Sequence, residues 1–200
     1  HSNIKGMHSY FQLKVSDKPV RSLRSRVDLL ASFDEETVAV HYNEVDEGGG
    51  LLYDPKLLDR KIEAIPTLDK IVKNKLVKRL EEQGLSPTIS SLIEECRQRG
   101  VKTYPIPYDE ILGEISRKSE KKISELTRMM NVLAVASSLA LVELDLTFLE
   151  RAIKNVFRDK AKVAEENIDG ARIAYEYVKK HFSGSYPHKL KSQPNGRRLL

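Results

Sequence analysis

Residues 27–53 constrain the fold of this chain more than any other stretch. Residues 27–33 (VDLLASF) form a nearly continuous apolar run of strand length, the pattern of a strand covered on both faces. Asp34 comes next and is suited to cap a helix, with Glu35 and Glu36 in the first turn, where the helix dipole favours negative charge. That helix runs to about Glu44. Gly48, Gly49 and Gly50 then read as a flexible turn, and Leu51, Leu52 and Tyr53 as a short strand closed by Asp54 and Pro55. Strand, helix and strand at this spacing make a βαβ unit, whose parallel crossover is right-handed.

The flanking segments extend the same alternation. Residues 9–15 (SYFQLKV) mix aromatic, β-branched and polar side chains in rough alternation, predicting a half-buried strand, and residues 16–19 (SDKP) have the chemistry of a turn. Leu68, Ile71, Val72, Leu76 and Leu80 keep helical spacing up to Gly84, and residues 88–99 form a second helix stopped by Gly100. Pro105 and Pro107 limit the strand at 101–107 to an edge or an end of the sheet. Helices are expected at 108–118, 123–142, 146–157 and about 160–181, the third amphipathic through Leu149, Ile153, Val156 and Phe157. The expected fold is α/β, a three-layer α/β/α arrangement with a mostly parallel or mixed sheet and extra helices. Its domain should fill residues 1–182, followed by a Pro/Gly/Ser-rich linker at 183–200.

Composition narrows the function classes. Lys and Arg number 34 against 29 Asp and Glu, a net charge of +5, but the two signs alternate along most segments as on solvated helix faces. Arg21, Arg24 and Arg26, and the lysines between Lys70 and Arg79, are read the same way. A nucleic-acid binder concentrates its positive charge. The lone cysteine, Cys96, lies in a helical context and cannot supply a disulfide, a Cys-based zinc site or a cysteine-held iron–sulfur cluster within the chain. Single-cysteine use, and the lack of any apolar run long enough to span a bilayer, predict a cytoplasmic protein without membrane contact. The five histidines, at 1, 8, 41, 181 and 188, share no metal-ligand spacing. Asn131 and Asn167, inside apolar helices, are expected to serve the fold by bonding backbone groups.

One segment stands out chemically. Residues 2–10 (SNIKGMHSY) gather small, amide, cationic and imidazole groups directly before a strand. Gly6 lets a backbone approach a ligand closely, and Lys5 offers a point charge suited to a phosphate or carboxylate. A polar loop that merely enters a strand has the same composition.

Taken in order, these segments resemble the γ-type domain of 2-oxoacid:ferredoxin oxidoreductases. The match runs through SNIKGMHSY at 2–10, SDKP at 16–19, RSRVDLL at 24–30, Tyr53 with Asp54, NVLAV at 131–135, NIDGA at 167–171 and NGRRLL at 195–200. There are departures. Met7 stands where a second glycine is commoner, and Ala134, Val135 and Ala136 lack the family's Leu-Gly. Gly170, Ala171 and Ala174 replace its Ala, Phe and Gly. The family's opening strand and glycine-rich loop are not seen before His1, so they are expected in the protein outside this span.

The resemblance implies a fragment of the α subunit of a two-subunit enzyme, inactive alone. The intact enzyme oxidatively decarboxylates a 2-oxoacid to an acyl-CoA with ferredoxin as acceptor. It implies thiamine pyrophosphate, Mg2+, a [4Fe–4S] cluster and CoA for the full enzyme, with none bound by the fragment alone. The implied partners are the remainder of the α subunit, a β subunit carrying thiamine pyrophosphate and the cluster, and ferredoxin, with no nucleic acid. In related single-chain enzymes a Ser-Lys-Lys-Ser-Gly-Gly segment at this place contacts CoA. Asn3 and Ile4 do not match its lysines, but Lys5 is a cation one residue along. Asn3, Lys5, Gly6 and His8 are therefore the candidate CoA-approach residues, with no catalytic residue and no metal ligand in the chain. Two other readings stay open on the residues alone: a basic α/β nucleic-acid-binding or regulatory module, and a free-standing scaffold subunit.

Overall fold

The computed structural model describes residues 10–16, 19, 21, 22 and 24–191. The chain divides into two compact units, His1–Pro105 and Ile106–Leu200. The first contains a three-stranded sheet of β1 (Val27–Ala31), β2 (Val45–Tyr53) and β3 (Lys102–Pro105), in that order and parallel at both pairings. Helix α1 (Glu35–His41) connects β1 to β2, and the Asp34 carboxylate accepts the Thr37 amide at 2.7 Å as its N-cap. The α/β class and the parallel βαβ unit are as expected.

Helices α2 (Lys70–Glu82) and α3 (Ile89–Gln98) follow in the loop between β2 and β3. The Asp69 carboxylate caps α2 through the Ile71 and Val72 amides, at 2.8 and 3.2 Å. Gly100, at φ +79°, ends the turn after α3 in the left-handed conformation that glycine adopts without strain. Val38, Leu51, Ile62, Leu80, Leu92 and Ile93 are fully buried and form the centre of this unit's core. Ile71, at a position that keeps the helical apolar spacing, is instead 79% exposed.

Two strand expectations change. Gly48, Gly49 and Gly50 are not a turn but part of β2. Val27 pairs with Val45 and Leu29 with Gly50, so β2 bulges where β1 advances two residues. Gly48 sits at φ +75°, and a methyl group on Gly49 would lie 2.7 Å from the Asp28 carbonyl oxygen and 2.8 Å from that of Asp46. The glycines are needed because backbones meet there. β1 itself is half-buried rather than covered on both faces, and among the described residues it pairs only with β2.

The strand expected at 9–15 forms no ladder among the described residues. Tyr10, Phe11, Leu13 and Val15 are exposed. The Gln12 amide donates to the Arg24 carbonyl at 2.8 Å and the Lys14 ammonium to the Ser22 carbonyl at 3.4 Å.

The second unit is helical: α4 (Tyr108–Ser119), α5 (Ile123–Leu126), α6 (Met130–Leu141), α7 (Thr147–Val156) and α8 (Ala161–Phe182). The long α8 packs against α6, α4 and α7. Gly170 allows the close approach, since a methyl there would lie 3.1 Å from both the Ile115 and the Leu133 methyl tips. The single helix expected at 123–142 is broken by a 3-10 turn at Thr127–Met129, where the Thr127 hydroxyl donates to the Ser124 carbonyl at 3.0 Å and competes with the helical ladder.

Asn167 is buried and its amide donates to the Val163 carbonyl at 2.8 Å, as expected of a structural asparagine. Asn131 is exposed and bonds only its neighbour's amide, at Val132, among the contacts described. Beyond α8, Tyr186 is buried, the Leu190 amide donates to the Val142 carbonyl at 2.8 Å, and Lys189 pairs with Glu143. The start of the expected linker is thus held against this unit.

Candidate functional site

The candidate CoA-approach residues Asn3, Lys5, Gly6 and His8 lie outside the described residues. The described part of their segment is its last residue, Tyr10. Its ring meets the His41 imidazole edge-on, with centroids 4.6 Å apart. His41 closes α1 and is buried, and its Nδ1 lies 3.0 Å from a Glu44 carboxylate oxygen. A buried imidazole on one side and the Gln12 and Lys14 hydrogen bonds on the other therefore fix where the segment enters the domain.

Directly after His41 begins a polar network that the sequence pattern did not single out. Arg79, on α2, donates through Nη1 and Nη2 to the two carboxylate oxygens of Glu95 on α3, at 2.7 and 3.0 Å. Nη2 also donates to the Tyr42 hydroxyl at 2.8 Å. This is the bidentate geometry of strong guanidinium–carboxylate pairs. By sequence Arg79 belongs to a solvated lysine-rich face. It is drawn inward because Glu95 and Tyr42 sit on elements that only the tertiary fold brings beside α2.

Arg99 completes the network from the end of α3. Its Nη2 donates to the Tyr42 carbonyl at 2.7 Å, and its Nη1 reaches the Asn43 and Val45 carbonyls at 3.4 Å. These carbonyls belong to the 3-10 turn between α1 and β2 and to the first residue of β2, so Arg99 satisfies backbone groups at the helix-to-strand turn.

Electrostatics follow the burial. The Tyr42 phenol is pushed up to about 12, first by desolvation and then by the Glu95 charge, with Arg79 opposing. Hydrogen bonding to Glu95, before all else, raises the Arg79 guanidinium above its ordinary value and keeps it charged. Burial raises the Cys96 thiol, against the pull of Arg99, so the thiol stays protonated and poorly nucleophilic. Cys96 Sγ donates to the Tyr42 carbonyl at 3.4 Å. Chemically the arrangement is a brace joining the 3-10 turn after α1 to α2 and to the end of α3, with its charges paired against one another rather than presented to a substrate.

Arg21, Arg24 and Arg26 are exposed, and Arg26 pairs with Asp46 at 3.3 Å. Among the described residues no three His, Cys, Asp or Glu side chains are grouped to hold a metal ion, and no helix is long and apolar enough to cross a membrane.

A βαβ sheet with a bulged second strand, entered through an aromatic-anchored segment, is consistent with the resemblance drawn from the sequence. A family model described as pyruvate ferredoxin/flavodoxin oxidoreductase matches residues 1–177. The chain belongs to this family.

Within the pyruvate ferredoxin/flavodoxin oxidoreductase family, the chain is similar to 2-oxoacid:ferredoxin oxidoreductase 2, subunit alpha, of Aeropyrum pernix. The two are 32% identical over 182 residues, which is 91% of this chain and 28% of that protein. The 2-oxoacid:ferredoxin oxidoreductase subunit alpha of Saccharolobus solfataricus is 35% identical over 179 residues, 89% of this chain and 28% of its own length. The corresponding subunit 1 alpha of Sulfurisphaera tokodaii is 34% identical over 158 residues, covering 79% of this chain and 25% of that protein. The chain therefore spans little more than a quarter of the length of the first two relatives.

Proposed function

We propose that these 200 residues are the γ-type accessory domain of the α subunit of a cytoplasmic two-subunit 2-oxoacid:ferredoxin oxidoreductase. The observation that carries the reading is the identity to oxidoreductase α subunits, 32% and 35%, over about nine-tenths of the chain. The complete enzyme converts a 2-oxoacid to an acyl-CoA and reduces ferredoxin, with a β subunit as partner. The brace of Arg79, Glu95, Tyr42 and Arg99 supports a structural role for this domain within that assembly.

The [4Fe–4S] cluster of the complete enzyme does not fit the described residues. Cys96 is buried, protonated and bonded to a backbone carbonyl, which is not the setting of an iron–sulfur ligand. No step through the cluster is therefore routed through the described residues. The domain's own chemical contribution is to the approach of CoA, through Asn3, Lys5, Gly6 and His8. Lys5 supplies a charge for a phosphate, and Gly6 supplies backbone access.

The test is reconstitution of the full α subunit with β. CoA-dependent reduction of ferredoxin by a 2-oxoacid is expected, and its absence for every 2-oxoacid tried would overturn the enzymatic reading. Lys5→Ala should raise the KM for CoA severalfold with little change in kcat. An unchanged KM removes Lys5 from the CoA site.

A further inference from the structure

Along most of the chain the two signs of charge alternate, but residues 151–162 carry Arg151, Lys154, Arg158, Lys160 and Lys162 against Asp159 alone. They cover the later turns of α7, the connection after it and the start of α8. All five cations are exposed. Among the described residues Lys154, Lys160 and Lys162 pair with no carboxylate. Arg158 and Asp159 meet at 3.9 Å with side chains 82% and 92% exposed, a weak pair in open solvent. The lysine row of α2 differs, since it ends in Glu81 and Glu82 and Lys78 lies 3.8 Å from Glu82.

Helix stability does not account for the patch. Lys154, in the last turn of α7, complements the dipole of that helix. Lys160 is the N-cap of α8 and Lys162 lies in its first turn, which holds no acidic residue. There the dipole opposes positive charge, whereas α1 opens on Glu35 and Glu36 and α4 on Asp109 and Glu110. The start of α8 thus adds to the positive field of the side chains instead of offsetting it.

Apolar groups share this surface. Phe148 and Val156, about two turns apart on α7, are exposed, and the Arg151 guanidinium lies 5.3 Å over the Phe148 ring. Arginine and aromatic side chains together are the composition of a protein contact, whereas a grip on a phosphate backbone needs cations alone.

The electron acceptor of the family has the matching chemistry. An iron–sulfur cluster is held by cysteine thiolates, whose negative charge exceeds the positive charge of its core, and each electron received adds to it. Encounters between redox proteins are small and transient, so one helix face and a turn suffice, and opposite charge speeds their formation. We propose that Arg151, Lys154, Arg158, Lys160 and Lys162, with Phe148 and Val156, form a docking surface for an acidic face of ferredoxin. Its role is attraction and orientation, not electron transfer. This rests on the reading of the chain as part of a 2-oxoacid:ferredoxin oxidoreductase.

The experiment titrates a [4Fe–4S] ferredoxin of net negative charge into the complex of full-length α with β, by calorimetry at about 25 mM salt. The triple variant Lys154→Glu, Lys160→Glu, Lys162→Glu should raise Kd at least about tenfold, and at about 0.5 M salt the difference should shrink below about threefold. Two of these changes place acids where the α8 dipole favours them, and circular dichroism checks that the variant is folded. The milder Lys154→Gln, Lys160→Gln, Lys162→Gln should weaken binding less, in the same direction. Lys70→Glu, Lys75→Glu, Lys78→Glu on α2 should leave Kd within about twofold, because that row lies outside the docking surface. No measurable ferredoxin binding, an unchanged Kd in the 154–162 variants, or an equal loss from the α2 reversals overturns the proposal. So does duplex DNA binding more tightly than ferredoxin through the same lysines. A complex that oxidises a 2-oxoacid with methyl viologen as acceptor, yet binds ferredoxin equally in every variant, overturns the docking surface alone. Lysine-dependent ferredoxin binding by a complex inactive with every 2-oxoacid overturns the enzymatic reading alone.

Discussion

Replacing Gly49 with alanine tests whether the bulge in β2 is set by backbone contact. The new methyl would stand 2.7 Å from the Asp28 carbonyl oxygen, 2.8 Å from that of Asp46 and 3.0 Å from Val45 Cγ1. Two of these three neighbours are backbone, so they cannot swing aside as a side-chain tip can. Relief requires β1 and β2 to separate locally where Val27 pairs with Val45 and Leu29 with Gly50. Forced overpacking costs about 1–3 kcal/mol. Alanine recovers about 0.5–1 kcal/mol through its smaller loss of backbone entropy. The sheet contact sits beside a core that includes Val45 and Leu51, both fully buried, so the upper part of the overpacking range applies. The net expectation is a loss of about 2 kcal/mol, a fall of roughly 10 °C in Tm for a unit of about 100 residues.

Urea denaturation of Gly49→Ala beside Gly48→Ala and Gly48→Asn is the assay. Gly48 has φ +75° and nothing within 4 Å of its added methyl, so its alanine variant suffers backbone strain of about 1 kcal/mol, and asparagine, which tolerates that conformation, suffers less. The steric argument fails if Gly49→Ala loses less than about 0.5 kcal/mol, or no more than Gly48→Ala.

Alkaline titration should destabilise the fold between about pH 10 and 12. The phenols of buried Tyr42 and Tyr53 and of half-buried Tyr175 and Tyr177 are all raised, desolvation first, so above the ordinary tyrosine value near 10 the unfolded chain releases protons that the folded chain keeps. Tyr42 alone, at about 12, accounts for about 2 kcal/mol of that loss; denaturant midpoints that stay level from pH 9 to 11.5 would contradict it. Arg79→Met leaves the Glu95 carboxylate, 17% exposed, without its cation and should cost about 1–2 kcal/mol, part of which Glu95→Gln restores in the double variant. A double-mutant coupling near zero would mean that the pair is not a brace. Val156→Lys should change stability by less than about 0.5 kcal/mol, because its side chain is 74% exposed; a larger loss in thermal melts would show that the site is covered.

Where local chemistry was sufficient, the sequence was readable. The parallel βαβ unit followed from an apolar run, an aspartate and two glutamates, since Asp34 satisfies its amide within its own turn. Gly100 could be placed because a helix end favours the left-handed residue glycine supplies, and the apolar spacing from Leu68 to Leu80 located the helix over Lys70–Glu82. The structural role of Asn167 was also legible from its place inside an apolar helix, whereas Asn131, in a similar setting, is exposed. The order of short motifs along the chain was enough to draw the resemblance to 2-oxoacid:ferredoxin oxidoreductases, and the family match across residues 1–177 agrees with it.

Only the tertiary structure decided the rest, because the deciding atoms are distant in sequence. Glycines that look like a turn are strand residues because the Asp28 carbonyl presses on Gly49 from another strand. Arg79 leaves a solvated row because Tyr42 and Glu95, 37 and 16 residues away, converge on it. Periodicity assigns Ile71 and Val156 to apolar faces, but it cannot say that nothing described lies opposite them. The alternation at residues 10–15 follows from the order of amino acids alone. Whether that strand has a neighbour depends on what the fold places beside it, and no spacing within the segment records that.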